Sequence, residues 1–196
     1  MRTKKGEKER LKTTILDRAI SFFKINGSGG SGINAVMEHA GLTTGALYSH
    51  FKSKDDLFGE TVCRELEKLE FAHYQILKTE KGNALRAMID LYFDEKNFIE
   101  IGDGCVFTAL GTDMHRCKPS YRARFEAHIE KIYEVFAECI RIQFPNETYE
   151  ACYAKATTVL SGMVGAMTMA RTVKNTMVAH AILVNEKEHL IRNFCK

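Results

Sequence analysis

The sequence predicts an all-α fold, and three observations lead to this fold class. Apolar residues recur at three- and four-residue intervals along most of the chain, as they do on one face of an α-helix. Only two prolines occur, Pro119 and Pro145, and 45% of the 196 residues are hydrophobic, which is enough to bury a core. No long alternation of Val, Ile and Thr indicates a β-sheet. We therefore expect a protein built of helices.

The N-terminal region predicts a long helix followed by a short one. Residues 8–26 carry apolar side chains at helical spacing, namely Ile15, Ala19, Phe22 and Phe23. Gly27 tolerates a left-handed conformation and is expected to end this helix. Ser31 is expected to cap a second helix that runs to Ala40.

The loop between these two helices matches a nucleotide-binding pattern in its letters only. Residues 27–32 are Gly-Ser-Gly-Gly-Ser-Gly, which satisfies GxGxxG. That fingerprint binds a dinucleotide only when a β-strand precedes it and a βαβ unit surrounds it, whereas an amphipathic helix precedes it here. We interpret the segment as a flexible turn.

A tight turn at residues 41–43 separates the second helix from a third, which runs from Thr44 to about His50. Gly41 opens the turn, and glycine adopts positive φ at no steric cost. A helix of about eight residues, a three-residue turn and a second helix have the spacing of a helix-turn-helix, whose second helix enters the major groove. Helical hairpins without a DNA-binding role can have the same spacing.

The rest of the chain predicts a larger helical body. A segment resembling a capping box, with Asp56 in place of Glu, begins at Ser53 and opens a long helix. The helices of this part are expected over residues 54–77, 83–98, 105–115, 119–144, 148–174 and 178–194.

Charge divides the chain into a basic head and a mildly acidic body. Residues 1–54 hold 10 Lys and Arg against 4 Asp and Glu, a net charge of +6, whereas the remaining residues hold 18 against 21, a net charge of −3. A basic N-terminal module followed by an acidic body is typical of a nucleic-acid-binding domain joined to a domain with another function. A solvated charged surface explains the same imbalance. We place the domain boundary after residue 56, giving domains 1–56 and 57–196.

Residues 40–58 carry a specific family resemblance. They are Ala-Gly-Leu-Thr-Thr-Gly-Ala-Leu-Tyr-Ser-His-Phe-Lys-Ser-Lys-Asp-Asp-Leu-Phe, which resembles the DNA-binding signature of the tetracycline-repressor (TetR) family. The Tyr-x-His-Phe-Lys-x-Lys portion, residues 48–54, is the most specific part. The detailed similarity covers about residues 10–60, and the rest of the chain agrees with the family only in length, number of helices and general character.

The resemblance implies that the second and third helices carry the DNA contacts. Thr44 and Gly45 lie at the start of the third helix, where short side chains bring the backbone close to base edges. Tyr48 can reach a phosphate with its hydroxyl while its ring packs on the helix pair. Lys54 lies at a helix N-terminus, which itself attracts phosphate. The full set of expected DNA-contacting residues is Asn34, Thr43, Thr44, Gly45, Tyr48, Ser49, His50, Lys52 and Lys54.

Two features of these residues are unusual for a helix that recognises bases through direct contacts. Many members of the family carry Thr at the start of the second helix, where this chain has Gly32 and Ile33, so a hydroxyl–phosphate contact is absent there. The third helix offers small side chains to the groove. Asn34 and the shape of the DNA are therefore expected to supply more of the specificity. Lys52 is equally well interpreted as a solvated surface lysine.

The resemblance further implies that the last two helices form a dimer. Residues 148–194 contain a stretch that is apolar nearly all round and rich in small residues, which allow another helix to approach closely: Val159, Leu160, Gly162, Met163, Gly165, Ala166, Met169 and Ala170. Burial inside one chain explains part of this pattern. A two-fold DNA site requires two heads, so we expect a homodimer.

The resemblance also implies a ligand cavity in the body. Its candidate lining is Phe93, Phe98, Cys105, Phe107, Leu110, Met114, Phe125 and Met163, although aromatic and Met stripes are also typical of plain core. Cys105 opens a helix, where the helix dipole can make a thiol reactive, so an electrophile or oxidant is one candidate signal. The alternative for Cys105 is an inert thiol. Cys105, His115 and Cys117 match no strong metal-ligand spacing.

These features predict a transcriptional repressor that a small apolar or electrophilic inducer releases from palindromic double-stranded operator DNA. Two alternatives are an enzyme that uses the helical body and a DNA-binding protein without sequence preference or ligand. The sequence shows no catalytic arrangement, phosphate loop or cofactor signature, so we expect no enzyme activity and no cofactor. The charged N-terminus resembles no signal peptide, the longest apolar stretch is too short for a membrane span, and the six cysteines are scattered. A cytoplasmic protein without membrane attachment is expected.

Overall fold

The computed structural model describes residues 2–30 and 32–196, with side chains described from residue 6 onward. Ten α-helices lie in these ranges and no β-strand does, which confirms the all-α fold class. The helices are α1 Arg2–Asn26, α2 Ile33–His39, α3 Thr44–Tyr48, α4 Lys54–Glu80, α5 Ala84–Tyr92, α6 Glu95–Ile99, α7 Val106–His115, α8 Pro119–Gln143, α9 Tyr149–Thr172 and α10 Thr176–Phe194. None of them combines the length and apolar character needed to cross a membrane.

The single helix expected over residues 83–98 is wrong, because two helices occupy this segment. Asp94 has an extended backbone and its side chain accepts a hydrogen bond from the backbone N–H of Lys96 at 2.9 Å, which makes it the N-cap of α6. Such a side chain competes with the helical hydrogen bond and favours a new helix start. A short 3-10 turn at Lys81–Asn83 precedes α5.

Side-chain caps start several of the other helices. The side chain of Thr148 accepts from Ala151 N–H and that of Asn175 accepts from Met177 N–H, so α10 begins two residues before the predicted start. Gly32 occupies the N-cap position of α2 without a side-chain hydrogen bond. The predicted cap, Ser31, lies outside the described residues.

The described chain divides into two compact units. The first comprises Met1–Leu66 and Ile101–Phe125, and the second comprises Glu67–Glu100 and Glu126–Lys196. Both α4 and α8 run through a division point without a break. The domain boundary that we predict after residue 56 separates the DNA-binding head from the body by function and not by compactness. It stays a prediction.

In the first unit, aromatic packing and charge pairs join α1 to α4. The rings of Phe23 and Phe58 meet edge to face, with centroids 5.1 Å apart. Lys24, whose side chain is only 2% exposed, pairs with Glu65 at 2.5 Å. Its charge is thereby compensated, which a buried ammonium requires. These contacts fix the long first helix against the start of α4.

In the second unit, α9 and α10 form the most extensive helix pair. A Cβ added at Gly162 would lie 2.2 Å from Glu186 Oε1 and 3.6 Å from Leu190 Cδ2, both on α10. Gly162 therefore serves the close approach of α9 and α10 within one chain. Val159, Met163 and other α9 residues are fully buried in the same unit.

Candidate DNA interface

The turn between α2 and α3 has a defined helix-ending geometry. Gly41 adopts φ +66°, its N–H donates to Glu38 O, and the N–H of Leu42 donates to Met37 O, both at 2.9 Å. This pair of bonds is a Schellman motif, which needs a left-handed residue at the glycine position. The Arg18 guanidinium on α1 also donates to Ala40 O at 2.8 Å. Sequence reasoning did not identify Arg18, because its partner is remote along the chain.

The start of α3 is held by its own side chains and by α2. Thr43 caps the helix, accepting from Ala46 N–H at 3.3 Å. The hydroxyl of Thr44 donates to Asn34 Oδ1 at 2.9 Å. This bond uses the amide oxygen of Asn34 and leaves its two N–H donors for another acceptor. The structure therefore brings two predicted DNA-contacting residues from different helices together.

The outer face of α3 consists of solvent-accessible, mostly short side chains. Tyr48 is 61% exposed, so its ring and hydroxyl are accessible to a partner. Gly45 and Ser49 are exposed, and the Ser49 hydroxyl is bonded to Ala46 O at 2.7 Å. Leu47 is fully buried and anchors the inner face. This face can approach a DNA groove without displacing core residues.

Basic residues of α1 lie near His50. Burial lowers the pKa of His50, and the nearby charges of Lys8 and Lys12 lower it further, against a smaller opposing effect of Glu9. His50 therefore favours its neutral form. The positive charges of Lys8 and Lys12 near His50 would attract a phosphate backbone.

The segment after α3 is fixed by the first turn of α4. The backbone N–H of Asp56 donates to the Ser53 hydroxyl at 3.1 Å, which is half of the expected capping box. The Asp56 carboxylate instead accepts from the backbone N–H of Lys52 at 3.0 Å. Lys52 is exposed, and Lys54, the first residue of α4, is partly exposed.

Tyr121 on α8 supports this turn and was not identified from the sequence. Its hydroxyl donates to Asp56 Oδ1 at 2.5 Å, and its ring lies where a Cβ on Gly59 would be 2.6 Å away. Burial alone would raise the pKa of Asp56, but the bonds from Tyr121 and from Lys52 N–H hold it below its usual value. Only a glycine at position 59 permits this approach, and no sequence pattern signals it.

The expected ligand-lining residues fall in both compact units. Cys105, Phe107, Leu110, Met114 and Phe125 belong to the first unit, and Phe93, Phe98 and Met163 belong to the second. Leu110, Met114, Phe125 and Met163 are buried, whereas the other four are partly exposed. Cys105 is the N-cap residue of α7 and makes no side-chain capping bond.

Cys117 and His115 lie at the opposite end of α7 from Cys105. These three residues are the ones whose spacing matches no strong metal-ligand pattern. The Cys117 thiol lies 3.6 Å from Asp113 O, and burial, together with nearby Asp55 and Asp113, raises its pKa. Within the described residues, no group of three or more His, Cys, Asp or Glu side chains is placed to hold a metal ion.

The geometry defines an all-α protein with an N-terminal helix-turn-helix whose second helix is exposed. Residues 15–61 match the model of bacterial regulatory proteins of the tetR family. The HTH-type transcriptional regulator AcrR of Shigella flexneri is 39% identical over 59 residues, which are 30% of this chain. The match spans only 27% of that relative's length.

Solved structures extend the likeness to nearly the whole chain. The reduced form of NemR from E. coli has a TM-score of 0.76 at 16% identity, covering 93% of this chain and 96% of that one. A TetR-family regulator from Agrobacterium tumefaciens has a TM-score of 0.76 at 18% identity, covering 93% and 98%. At these identities the likeness concerns the fold. Residues 15–61 therefore match the tetR family of bacterial regulatory proteins, and the chain as a whole shares the fold of these solved structures.

Proposed function

We propose that this chain is a DNA-binding transcriptional regulator, and specifically a repressor that a small-molecule inducer releases from a palindromic operator. The observation that carries the proposal is the exposed outer face of α3, where Thr44 is bonded to Asn34 and Tyr48 faces solvent. A buried inner face and a Schellman turn hold this helix in place. The match to bacterial regulatory proteins over residues 15–61 supports the same role and argues against an enzyme.

The DNA-binding surface is proposed to be the nine residues predicted from the sequence. They include exposed short side chains for close approach to base edges and Lys52 and Lys54 for phosphate contact. The net charge of +6 on residues 1–54 attracts DNA of any sequence, while the base contacts select a site.

The proposed working form is a homodimer through α9 and α10. An exposed row on α9 has short side chains at helical spacing, including Thr158, Ser161 and Gly165, and it continues to Met169, which is 57% exposed. Met177 at the start of α10 is 77% exposed. A Cβ added at Gly165 would meet nothing within 4 Å, so this position is open for another helix. Apolar groups left exposed on two helices favour a protein partner.

The proposed inducer binds within residues 83–170. FadR of Bacillus subtilis, with a TM-score of 0.63 at 13% identity over 89% of this chain and 96% of that one, was solved in complex with stearoyl-CoA. A chain of this fold can therefore hold a ligand that carries a long acyl chain. Release requires that the inducer favour the arrangement that does not bind DNA. A coupling of about 1–3 kcal/mol would weaken DNA binding about 5- to 150-fold.

A covalent signal would act at Cys105 in this proposal. The NemR structure is described as a reduced form, and Cys105 is partly exposed at the start of a ten-residue helix. We expect Cys105→Ser to bind operator DNA normally and to resist release by a quinone. Cys152→Ser is the control, because Cys152 is fully buried and should leave release unchanged. Equal release of Cys105→Ser and the wild type would exclude the covalent route and leave reversible binding.

The proposed function is tested by selection from a fragmented genomic library. The wild-type protein should enrich a small number of fragments that share one palindromic sequence. Enrichment of all fragments in proportion to their length would instead identify a DNA-binding protein without sequence preference, and no enrichment would contradict the DNA-binding role.

A further inference from the structure

The ring of Tyr121, near the start of α8, fills a notch on α4 that exists because residue 59 has no side chain. Tyr121 is only 9% exposed, and a Cβ added at Gly59 would lie 2.6 Å from three of its ring carbons. The ring also stacks on Phe125 in the next turn of α8, with centroids 6.3 Å apart, and the Arg124 guanidinium lies 5.4 Å from its centroid. Contacts on several sides thus fix the ring and, with it, the direction of the hydroxyl.

The Tyr121 hydroxyl has one proton and more than one acceptor within reach. Its oxygen lies 2.5 Å from Asp56 Oδ1 and 3.3 Å from Glu60 Oε1. Burial raises the pKa of Tyr121, and the hydrogen bond to Asp56 and the charge of Glu60 raise it further, so the hydroxyl keeps its proton. A short O–H···O contact is typical of a hydrogen bond to a carboxylate, which assigns the proton to the bond with Asp56.

Glu60 does not compete for this proton, because two cations already compensate its charge. The Arg124 guanidinium donates a hydrogen bond to Glu60 Oε1, and the Lys12 ammonium on α1 lies 3.7 Å from Oε2. Burial alone would raise the pKa of Glu60, but these partners hold it below its usual value. The hydroxyl of Tyr121 therefore remains bonded to Asp56.

The Asp56 carboxylate connects this hydroxyl to the segment between α3 and α4. Oδ1 accepts from Tyr121, whereas Oδ2 accepts from the backbone N–H of Lys52 at 3.0 Å. The backbone N–H of Asp56 donates to the Ser53 hydroxyl at 3.1 Å, which closes the turn from the other side. Rotation of the carboxylate would break one bond or the other, so the bond from Tyr121 restrains the backbone at residue 52.

We propose that Tyr121 is a positioning residue for DNA binding, which acts through Asp56 to fix the backbone of Lys52. This inference rests on the proposed function, in which Lys52 and Lys54 contact phosphate. Tyr121 is buried and makes no DNA contact of its own. A segment that is ordered before binding loses less entropy when the complex forms, so the hydroxyl raises DNA affinity without adding a contact.

The test compares Tyr121→Phe, which removes only the hydroxyl, with Tyr133→Phe as the matched control. Tyr133 lies further along the same helix, in the second unit. Fluorescence anisotropy measures affinity for a labelled DNA duplex of mixed sequence across a salt titration, because phosphate contacts do not depend on sequence. Hydrogen exchange followed by NMR measures the Lys52 amide in the protein without DNA. Circular dichroism and urea unfolding check that each variant is folded.

We expect Tyr121→Phe to bind the duplex about two- to tenfold more weakly than the wild type, because the turn must then be ordered on binding. The slope of log affinity against log salt should stay unchanged, because the number of phosphate contacts is the same. Lys52→Ala should instead reduce this slope by about 1. The Lys52 amide should exchange about two- to tenfold faster in Tyr121→Phe, because its acceptor is no longer fixed. Tyr133→Phe should match the wild type in all these measurements.

A double-mutant cycle with Asp56→Ala measures whether Tyr121 acts through Asp56. The cycle cancels the effect of the lost carboxylate charge, since that charge is missing from both of the variants compared. Tyr121→Phe should weaken DNA binding in the wild-type background and have no further effect in the Asp56→Ala background.

Three results would overturn the inference and leave the proposed function in place. One is wild-type DNA affinity in Tyr121→Phe, and another is an unchanged exchange rate of the Lys52 amide. The third is an equal loss of affinity from Tyr121→Phe with and without Asp56→Ala. A wild-type protein that binds no duplex even at low salt would instead contradict the proposed function and, with it, this inference.

Discussion

Thr44 and Asn34 illustrate how single residues set the proposed interface. Each side chain is exposed or partly exposed, and one hydrogen bond of 2.9 Å joins them across two helices. The bond orients the Asn34 amide, so its remaining donors do not have to be ordered when DNA binds. Fixing a polar side chain in advance reduces the entropy lost on binding.

At the residue scale, we predict that Tyr48→Phe and Lys54→Ala weaken DNA binding without unfolding the protein. Each is proposed to contact phosphate, so affinity should fall for every duplex sequence. Lys54→Ala should also reduce the slope of log affinity against log salt by about 1. Fluorescence anisotropy across a salt titration measures both effects, with Lys174→Ala on the second unit as control. An unchanged salt slope for Lys54→Ala would remove Lys54 from the interface.

At the scale of elements, the helices show what a sequence can predict. The caps at Thr43 and Thr148 and the glycine at position 41 were predictable, because each acts on residues next to it in the chain. The break at Asp94 was missed, since an aspartate within an apolar period is compatible with either a continuing helix or a new cap. Tyr121 was missed because its partners are Asp56 and Gly59, far away in sequence, and only the packed fold brings them together.

Gly41→Ala should destabilise the protein. The substitution forces a residue with a Cβ into φ +66°, so the free energy of unfolding should fall by about 1–2 kcal/mol. Gly111→Ala is the matched control, because Gly111 lies within α7 with nothing within 4 Å of an added Cβ. That change should raise the free energy of unfolding by up to about 1 kcal/mol. Urea unfolding measures both, and equal effects would contradict the turn geometry.

His73 on α4 gives the second unit a predictable pH dependence. Burial lowers the pKa of His73 to about 4, its ring meets that of Phe136 edge to face, and Nδ1 has no hydrogen-bond partner among the described residues. In the unfolded chain this histidine takes up a proton near pH 6.5, whereas in the folded chain it stays neutral until the pH falls to about 4. The free energy of unfolding should therefore fall by about 2 kcal/mol from pH 7 to pH 5 on account of this residue.

The check on this dependence is urea unfolding of the wild type and His73→Leu at both pH values. The variant should lose about 2 kcal/mol less than the wild type over this interval. His180→Gln, which replaces an exposed histidine, should behave like the wild type. Identical pH dependence of wild type and His73→Leu would show that folding does not lower the pKa of His73.

Binding of the whole molecule to a two-fold DNA site requires two chains. Much of the apolar stretch on α9 that predicted a dimer is buried within one chain, and Gly162 packs against α10. The sequence could not distinguish burial within one chain from burial in a dimer, because both require the same apolar residues. The exposed side chains that remain, with open space at Gly165, define a narrower dimer surface than the sequence indicated.

Gly165→Glu should therefore separate the proposed dimer without disturbing the single chain. The added side chain meets no atom of its own chain near Cβ, but it would place a charge inside the interface. Sedimentation should show monomers, and affinity for the operator should be lost because one head makes too few contacts. Ala127→Glu, at an exposed position of α8, is the control and should remain dimeric. A wild type that is monomeric at micromolar concentration would refute this surface.

A hydroxyl-radical footprint on a duplex selected from the genome tests whether two helix-turn-helix heads bind one two-fold DNA site. We predict two symmetric protected half-sites whose centres lie about 34 Å apart, one turn of B-DNA, or a multiple of that distance. Protection should disappear with Gly165→Glu. Even protection along any duplex, or a single protected half-site bound equally well by Gly165→Glu, would contradict binding by two symmetric heads.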